Sequence, residues 1–103
     1  MTESEYQNKI IDKVQQLFPG CFILKNDSSY KPGIPDILIL FQDRWAMLEI
    51  KIRKTAKRQA NQDYYVDLLG EMSFAAFIYP DIEEEVLHDL QCAFRPSRKA
   101  RIS

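Results

Sequence analysis

Two periodicities divide the chain. From Glu3 to Phe18, Ile10, Val14 and Leu17 recur at helical spacing, and Thr2 followed by Glu5 is a capping-box pattern. A helix is therefore predicted from about residue 2 to the Pro19-Gly20 stop. Cys21 to Lys25 reads as a short strand, and Asn26 to Pro35, rich in Ser, Asn, Asp, Pro and Gly, reads as a loop. Asp36 opens the apolar run Ile37-Leu38-Ile39-Leu40-Phe41, which predicts a buried strand. Gln42-Asp43-Arg44 turns the chain, and Trp45 to Ile52 returns as the antiparallel partner. A second helix is predicted over 56–69, with Ala60, Tyr64, Tyr65, Leu68, Leu69 and Met72 as its apolar stripe. Phe74 to Tyr79 is a further strand ended by Pro80, and Asp81 is expected to cap a third helix reaching about Leu90. The order is αβββαβα, an α/β (α+β) domain with one mixed sheet and helices packed on it.

The return strand carries an irregularity. Strand side chains alternate faces, so Glu49 and Lys51 point the same way, roughly 7 Å apart, while Ala46, Leu48, Ile50 and Ile52 form the other face. A carboxylate and an ammonium on one face of a central strand are not packing chemistry. With Asp36 on the neighbouring strand, two acids face one another across the hairpin. Such a pair suits a hard cation, since Mg²⁺ is satisfied by one or two carboxylates plus waters and substrate phosphate. A metal there can acidify a water and offset charge building on phosphorus. Lys51 is placed to orient the attacking water or neutralise that charge. The plainer reading is a surface ion pair between Glu49 and Lys51, with Asp36 capping a strand.

Composition narrows the setting. The 103 residues suit one domain with a single core, placed over 1–95, followed by a basic tail over 96–103 that is expected to be mobile. No apolar run is long enough to span a membrane, and the acidic start Met1-Thr2-Glu3-Ser4-Glu5 does not resemble a signal peptide, so a cytoplasmic protein is expected. Cys21 and Cys92 lack metal-ligand spacing and are expected to be buried thiols; His88, alone among acids, is expected to be structural or exposed. The net charge of −1 conceals an asymmetry. Lys51, Arg53, Lys54, Lys57 and Arg58 form a block without an acid, Arg95, Arg98, Lys99 and Arg101 form a second, and Asp81, Glu83, Glu84, Glu85 and Asp89 oppose them. Charge runs are commonly solvated faces. Here the first basic block begins at the candidate site, which favours a polyanion such as nucleic acid.

Taken together, "GIPDILIL" and "WAMLEIKI" resemble the two catalytic strands of the PD-(D/E)xK nuclease superfamily, most closely the small stand-alone VRR-Nuc domains of phages and bacteria, relatives of Holliday-junction resolvases. The resemblance covers roughly residues 2 to 79. "ESEYQNKIIDKV" looks like that family's first helix, "LKND" like its basic strand end, with Lys25 where Arg is common, and "QDYYVDLL" like the helix supplying a Gln. Gly70, where the family carries Gly nearer Ser73, is a departure that touches the helix end. The resemblance implies a restriction-endonuclease-like core. It also implies a Mg²⁺ site, with Mn²⁺ able to substitute, held by Asp36, Glu49 and Ile50, and catalysis by Asp36, Glu49 and Lys51 with help from Glu3 and Gln62.

Helical phase bears on the last two. At 100° per residue Glu3 and Gln7 lie near the direction of Ile10 and Val14, facing the sheet, whereas Glu5 falls opposite. Glu3 is thus the candidate acidic helper, or else it complements the helix dipole. Gln62 lies at the edge of the apolar stripe and is preferred to Gln59. The expected function is metal-dependent endonucleolytic cleavage of DNA. Lys25, Lys31, Arg53, Lys54, Lys57 and Arg58 would grip phosphates, and the resemblance implies a homodimer acting on branched DNA. Cleavage of flaps, nicking of duplex, or a non-catalytic nucleic-acid-binding module are the alternatives, and the acidic third helix offers a surface for a partner protein.

Overall fold

Both halves of the capping box form. Glu5 N donates to Thr2 Oγ1 over 3.1 Å and Thr2 N to Glu5 Oε1 over 2.8 Å, starting α1, Glu3–Leu17. The computed structural model describes residues 1–96. Beyond α1 it contains β1 (Phe22–Lys25), β2 (Ile37–Phe41), β3 (Arg44–Ile50), α2 (Gln62–Met72), β4 (Phe74–Ile78), a 3₁₀ turn at Pro80–Ile82, and α3 (Glu83–Ala93). The element order is the one expected, an α+β fold with three helices and one mixed sheet. The tail beyond Pro96, with Arg98, Lys99 and Arg101, lies outside the described residues.

Strand order is β1-β2-β3-β4, antiparallel for the first three and parallel between β3 and β4. Residues 51–73, including α2, form the crossover that a parallel pair requires. On one face of the sheet Ile37, Ile39, Ala46, Leu48, Ile50 and Ile78 are fully buried against α1 and α3. Phe18, Phe41 and Phe94 close that core, with ring centroids 5.0–5.8 Å apart. The helix pair is tied by Glu83, buried at the start of α3, which accepts from Tyr6 Oη over 2.9 Å and ion-pairs with Lys13.

The other face carries Glu49, and α2 covers only its β3–β4 half. Phe22, Leu24 and Leu40 on the β1–β2 half are therefore 70%, 50% and 38% exposed. The β2 run is thus buried on alternate residues, not throughout as expected. No helix of the described residues is long and apolar enough to cross a membrane.

Three further expectations are corrected. The second helix begins at Gln62, not near residue 56, because Lys51 Nζ takes the Lys57 carbonyl over 3.2 Å and Asn61 adopts a left-handed conformation, φ 71°. Its buried positions are Gln62 and Val66, whereas Ala60, Tyr64 and Met72 are exposed. Asp81 caps nothing, since Pro80 starts a 3₁₀ turn and α3 follows from Ile82 without a side-chain cap. The cysteines are not core thiols: Cys21 is half-buried and Cys92 exposed, its Sγ 3.7 Å from Nε2 of the exposed His88.

Candidate active site

The β2–β3 register pairs Ile37 with Leu48, so one further step sets Asp36 opposite Glu49 at the open end of the hairpin. Side chains so opposed have Cβ atoms about 5 Å apart. Asp36 is held from two sides: Asn26 N donates to its backbone oxygen over 2.9 Å, and Ile50 N donates to Oδ2 over 2.8 Å. Glu49 is 2% exposed although it faces away from the aliphatic core, because α2 lies over it. Gln62 Nε2 donates to Glu49 Oε2 over 3.0 Å, and Gln59 N fixes that carboxamide by donating to Gln62 Oε1 over 3.0 Å.

Lys51, 8% exposed, stands on the same face with Nζ 3.4 Å from Glu49 Oε2, and its backbone N–H pairs with Ile78 across the parallel strands over 2.9 Å. Glu49 Oε1 is buried and has no hydrogen-bond partner. A buried carboxylate oxygen without a donor is costly, and such groups mark a missing ligand or a functional strain.

The electrostatics follow from this packing. Burial raises the Glu49 carboxyl, the neighbouring Asp36 charge raises it further, and Lys51 only partly opposes them, leaving it pushed up to about 8. Asp36 is raised too, again by burial, against the stabilising Ile50 N–H and Lys51. Two acids that resist ionising side by side form a site where a cation relieves both desolvation and mutual repulsion. The donors are two carboxylates, and among the described residues no third Asp, Glu, His or Cys gathers with them. That set suits a hard cation that keeps waters, with Ile50 adjacent on the backbone, better than zinc.

The structure therefore brings together Asp36, Glu49, Ile50, Lys51 and Gln62. It does not bring in Glu3, whose side chain is exposed and takes part in no hydrogen bond or ion pair among the described residues. By helical phase Glu3 shares the sheet-facing stripe of Tyr6, Ile10 and Val14, but as the first residue of α1 it stands at the end of that stripe with its side chain exposed. Lys31, Arg53, Lys54 and Lys57 are exposed around the site. Lys25 is exposed but pairs with Ile37, on the opposite face of the sheet from Glu49. Arg58 is engaged: Nη1 meets Asp63 Oδ1 at 2.5 Å and the guanidinium lies 3.9 Å over the Phe77 ring.

Sequence reasoning missed the supports. Gly33, φ +91°, lies so close to α2 that a Cβ there would meet Asn61 Cβ at 2.7 Å and Ala60 O at 2.8 Å. The loop carrying Pro35-Asp36 is thereby braced on the residues that deliver Gln62. A Gly two residues before Pro is the signal that marked this position. The Lys57 carbonyl that holds Lys51 and the Gln59 N–H that holds Gln62 are backbone groups and leave no residue-type signature.

The chain matches no protein-family model, and neither a curated protein nor a solved structure matches it.

Proposed function

We propose that this chain is a Mg²⁺-dependent DNA endonuclease with a restriction-endonuclease-like core of the PD-(D/E)xK type. The observation that carries the reading is Glu49 Oε1, a buried acceptor without a donor, in a carboxylate pair with an ammonium on the same face. Asp36 and Glu49 would hold the divalent ion with the Ile50 carbonyl, and Mn²⁺ would substitute. Such an ion, when bound, would supply Lewis acidity toward the phosphate and a more acidic water. The chain's own groups do the rest. Lys51, fixed by Glu49 and the Lys57 carbonyl, directs its remaining N–H toward the phosphate and offsets charge developing there. Gln62 holds the Glu49 carboxylate in one rotamer. Exposed Lys31, Arg53, Lys54 and Lys57 bind phosphates on either side.

The partner is a second copy of the chain on branched DNA. The uncharged sheet half formed by Phe22, Leu24 and Leu40 supports pairing, because it lies on the Glu49 face and is unsuited to phosphate. The setting is the cytoplasm.

The test is cleavage of a four-way junction, a flap, a duplex and a single strand with Mg²⁺, Mn²⁺ or EDTA, by wild type and Glu49→Ala. Metal-dependent cleavage that Glu49→Ala abolishes, without loss of fold by circular dichroism, is expected. Cleavage of wild-type rate in the variant overturns the assignment of Glu49. Binding without cleavage in every metal favours the non-catalytic module.

A further inference from the structure

We infer that Tyr30 is a stacking platform for an unpaired nucleobase, received in the cavity beside the candidate active site. The inference rests on the nuclease reading and assigns its substrate class: DNA with unpaired nucleotides next to the phosphate that is cut. Tyr30 is 85% exposed, more than any other large hydrophobic side chain among the described residues. It is nonetheless not on a loose loop. Ser29 N and Oγ donate to Asp27 Oδ1 over 2.9 and 2.6 Å, and Tyr30 N and Lys31 N donate to Asp27 O over 3.2 and 3.3 Å. Ile34 N donates to Lys31 O over 3.1 Å, and Asn26 Nδ2 to Pro35 O over 2.8 Å. A turn this well bonded, braced at Gly33, holds an aromatic ring out in water, where it contributes nothing to folding.

Beside the ring lies a cavity of about 380 Å³ lined by Asn26, Asp27, Tyr30, Lys31 and Ile34. Its size lies in the range of small-molecule sites. Its chemistry selects the base over the phosphate. Asp27 is a firm anion, its carboxyl held below the ordinary range by Ser29, so a phosphate inside would be repelled. An aromatic ring, an isoleucine, a carboxylate and an amide instead suit a flat neutral heterocycle with donors on its edge. Lys31, whose ammonium lies 5.9 Å from the Tyr65 ring centroid on α2, supplies the positive charge for the adjoining phosphate. Asn26 also donates to the Asp36 backbone, so the cavity and the candidate metal ligand are one contact apart. Bases in uninterrupted duplex must first be unstacked and unpaired, at about a few kcal/mol, whereas those of a flap or single strand enter without that cost.

The experiment measures binding by full-length protein with Ca²⁺ replacing Mg²⁺, to a fluorescent oligothymidylate and to a blunt duplex, across a salt series. Tyr30→Ala should weaken oligothymidylate binding roughly 5- to 100-fold and duplex binding less than about twofold. Tyr30→Phe and Tyr30→Trp should restore it, and the salt slope should stay at the wild-type value because no charge is removed. Lys31→Ala, by contrast, should lower that slope by about one. Tyr30→Ala that binds both ligands as wild type does, or loses both equally, overturns the stacking role while leaving Asp36, Glu49 and metal-dependent cleavage untouched. Wild type that binds neither ligand and cuts nothing overturns the nuclease reading, and this one with it.

Discussion

Gln62 Nε2 donates to Glu49 Oε2 over 3.0 Å, across the space between the first residue of α2 and the sheet, and both side chains are almost wholly buried. The bond satisfies one carboxylate oxygen and leaves Oε1 without a partner. A helix has thus been set over an acid without being allowed to neutralise it.

The first expectation concerns pH and metal. Glu49 is pushed up from its ordinary 4.5 to about 8, so the folded protein holds a proton that the unfolded chain releases. Its contribution to stability is complete below about pH 4.5 and is lost as pH rises toward 8. The slope reaches about 1.4 kcal/mol per pH unit for one proton, and Asp36, also raised, acts in the same sense. Thermal unfolding in EDTA should therefore show Tm falling across this window, and Mg²⁺ or Mn²⁺ should restore it most at the alkaline end. Glu49→Gln should flatten the metal-free profile and remove most of the metal response. A metal-free Tm that is level from pH 5 to 8 in the wild type contradicts the burial argument.

Lys51 should separate rate from affinity. Lys51→Ala is expected to lower cleavage by about 100-fold or more while changing the Kd for DNA only a few-fold, as for loss of a donor aimed at transition-state charge. Lys51→Arg should not rescue it, since the ammonium is fitted between Glu49 Oε2 at 3.4 Å and Lys57 O at 3.2 Å. Single-turnover kinetics alongside equilibrium binding decide; equal losses in both make Lys51 a binding residue.

How much of this was legible in the sequence can be judged from particular residues. The capping box at Thr2 and Glu5, the hairpin around Gln42-Asp43 and the shared face of Glu49 and Lys51 all rest on local pattern, and the structure has each of them. Gln62, preferred to Gln59 for its place at the edge of the apolar stripe, does reach Glu49, although the expected helix around it starts earlier than α2 does. What could not be read was non-local. Lys51 captures the Lys57 carbonyl and delays α2, and Glu83 leaves the acidic run to pair with Tyr6 and Lys13 on α1. Neither leaves a periodicity, because each depends on where another element lands.

Gly33→Ala should be a remote test of the brace. A methyl group at φ +91°, 2.7 Å from Asn61 Cβ, costs on the order of 1–3 kcal/mol and displaces either the Pro35-Asp36 loop or the start of α2. Tm should drop, and cleavage should fall at temperatures where the variant is fully folded. Loss of Tm alone would separate the brace from the site.

Salt dependence should identify the phosphate grips. Arg53→Ala, Lys54→Ala and Lys57→Ala together should flatten the slope of log Kd against log salt by about three, near one unit per contact. Arg58→Ala should instead lower Tm, since its guanidinium is stacked on Phe77 and paired with Asp63. Reversal of exposed Glu84 and Glu85 should leave the slope nearly unchanged. Glu83 does not belong in that test, being buried in its bonds to Tyr6 and Lys13.

The parallel pairing of β3 with β4 governs when Lys51 is fixed beside the carboxylate pair. Strands β1 to β3 can zip through short-range contacts, but the clasp between Lys51 N and Ile78 O joins residues on either side of the whole α2 crossover. Pairings of that span form late, after the loop entropy has been overcome. On a ribosome, a chain not yet extended through Ile78 has both acids opposed on the β2–β3 hairpin, yet no β4 to clasp the Lys51 backbone beside them. The last strand brings no reactive side chain and still sets the moment at which the others begin to act together.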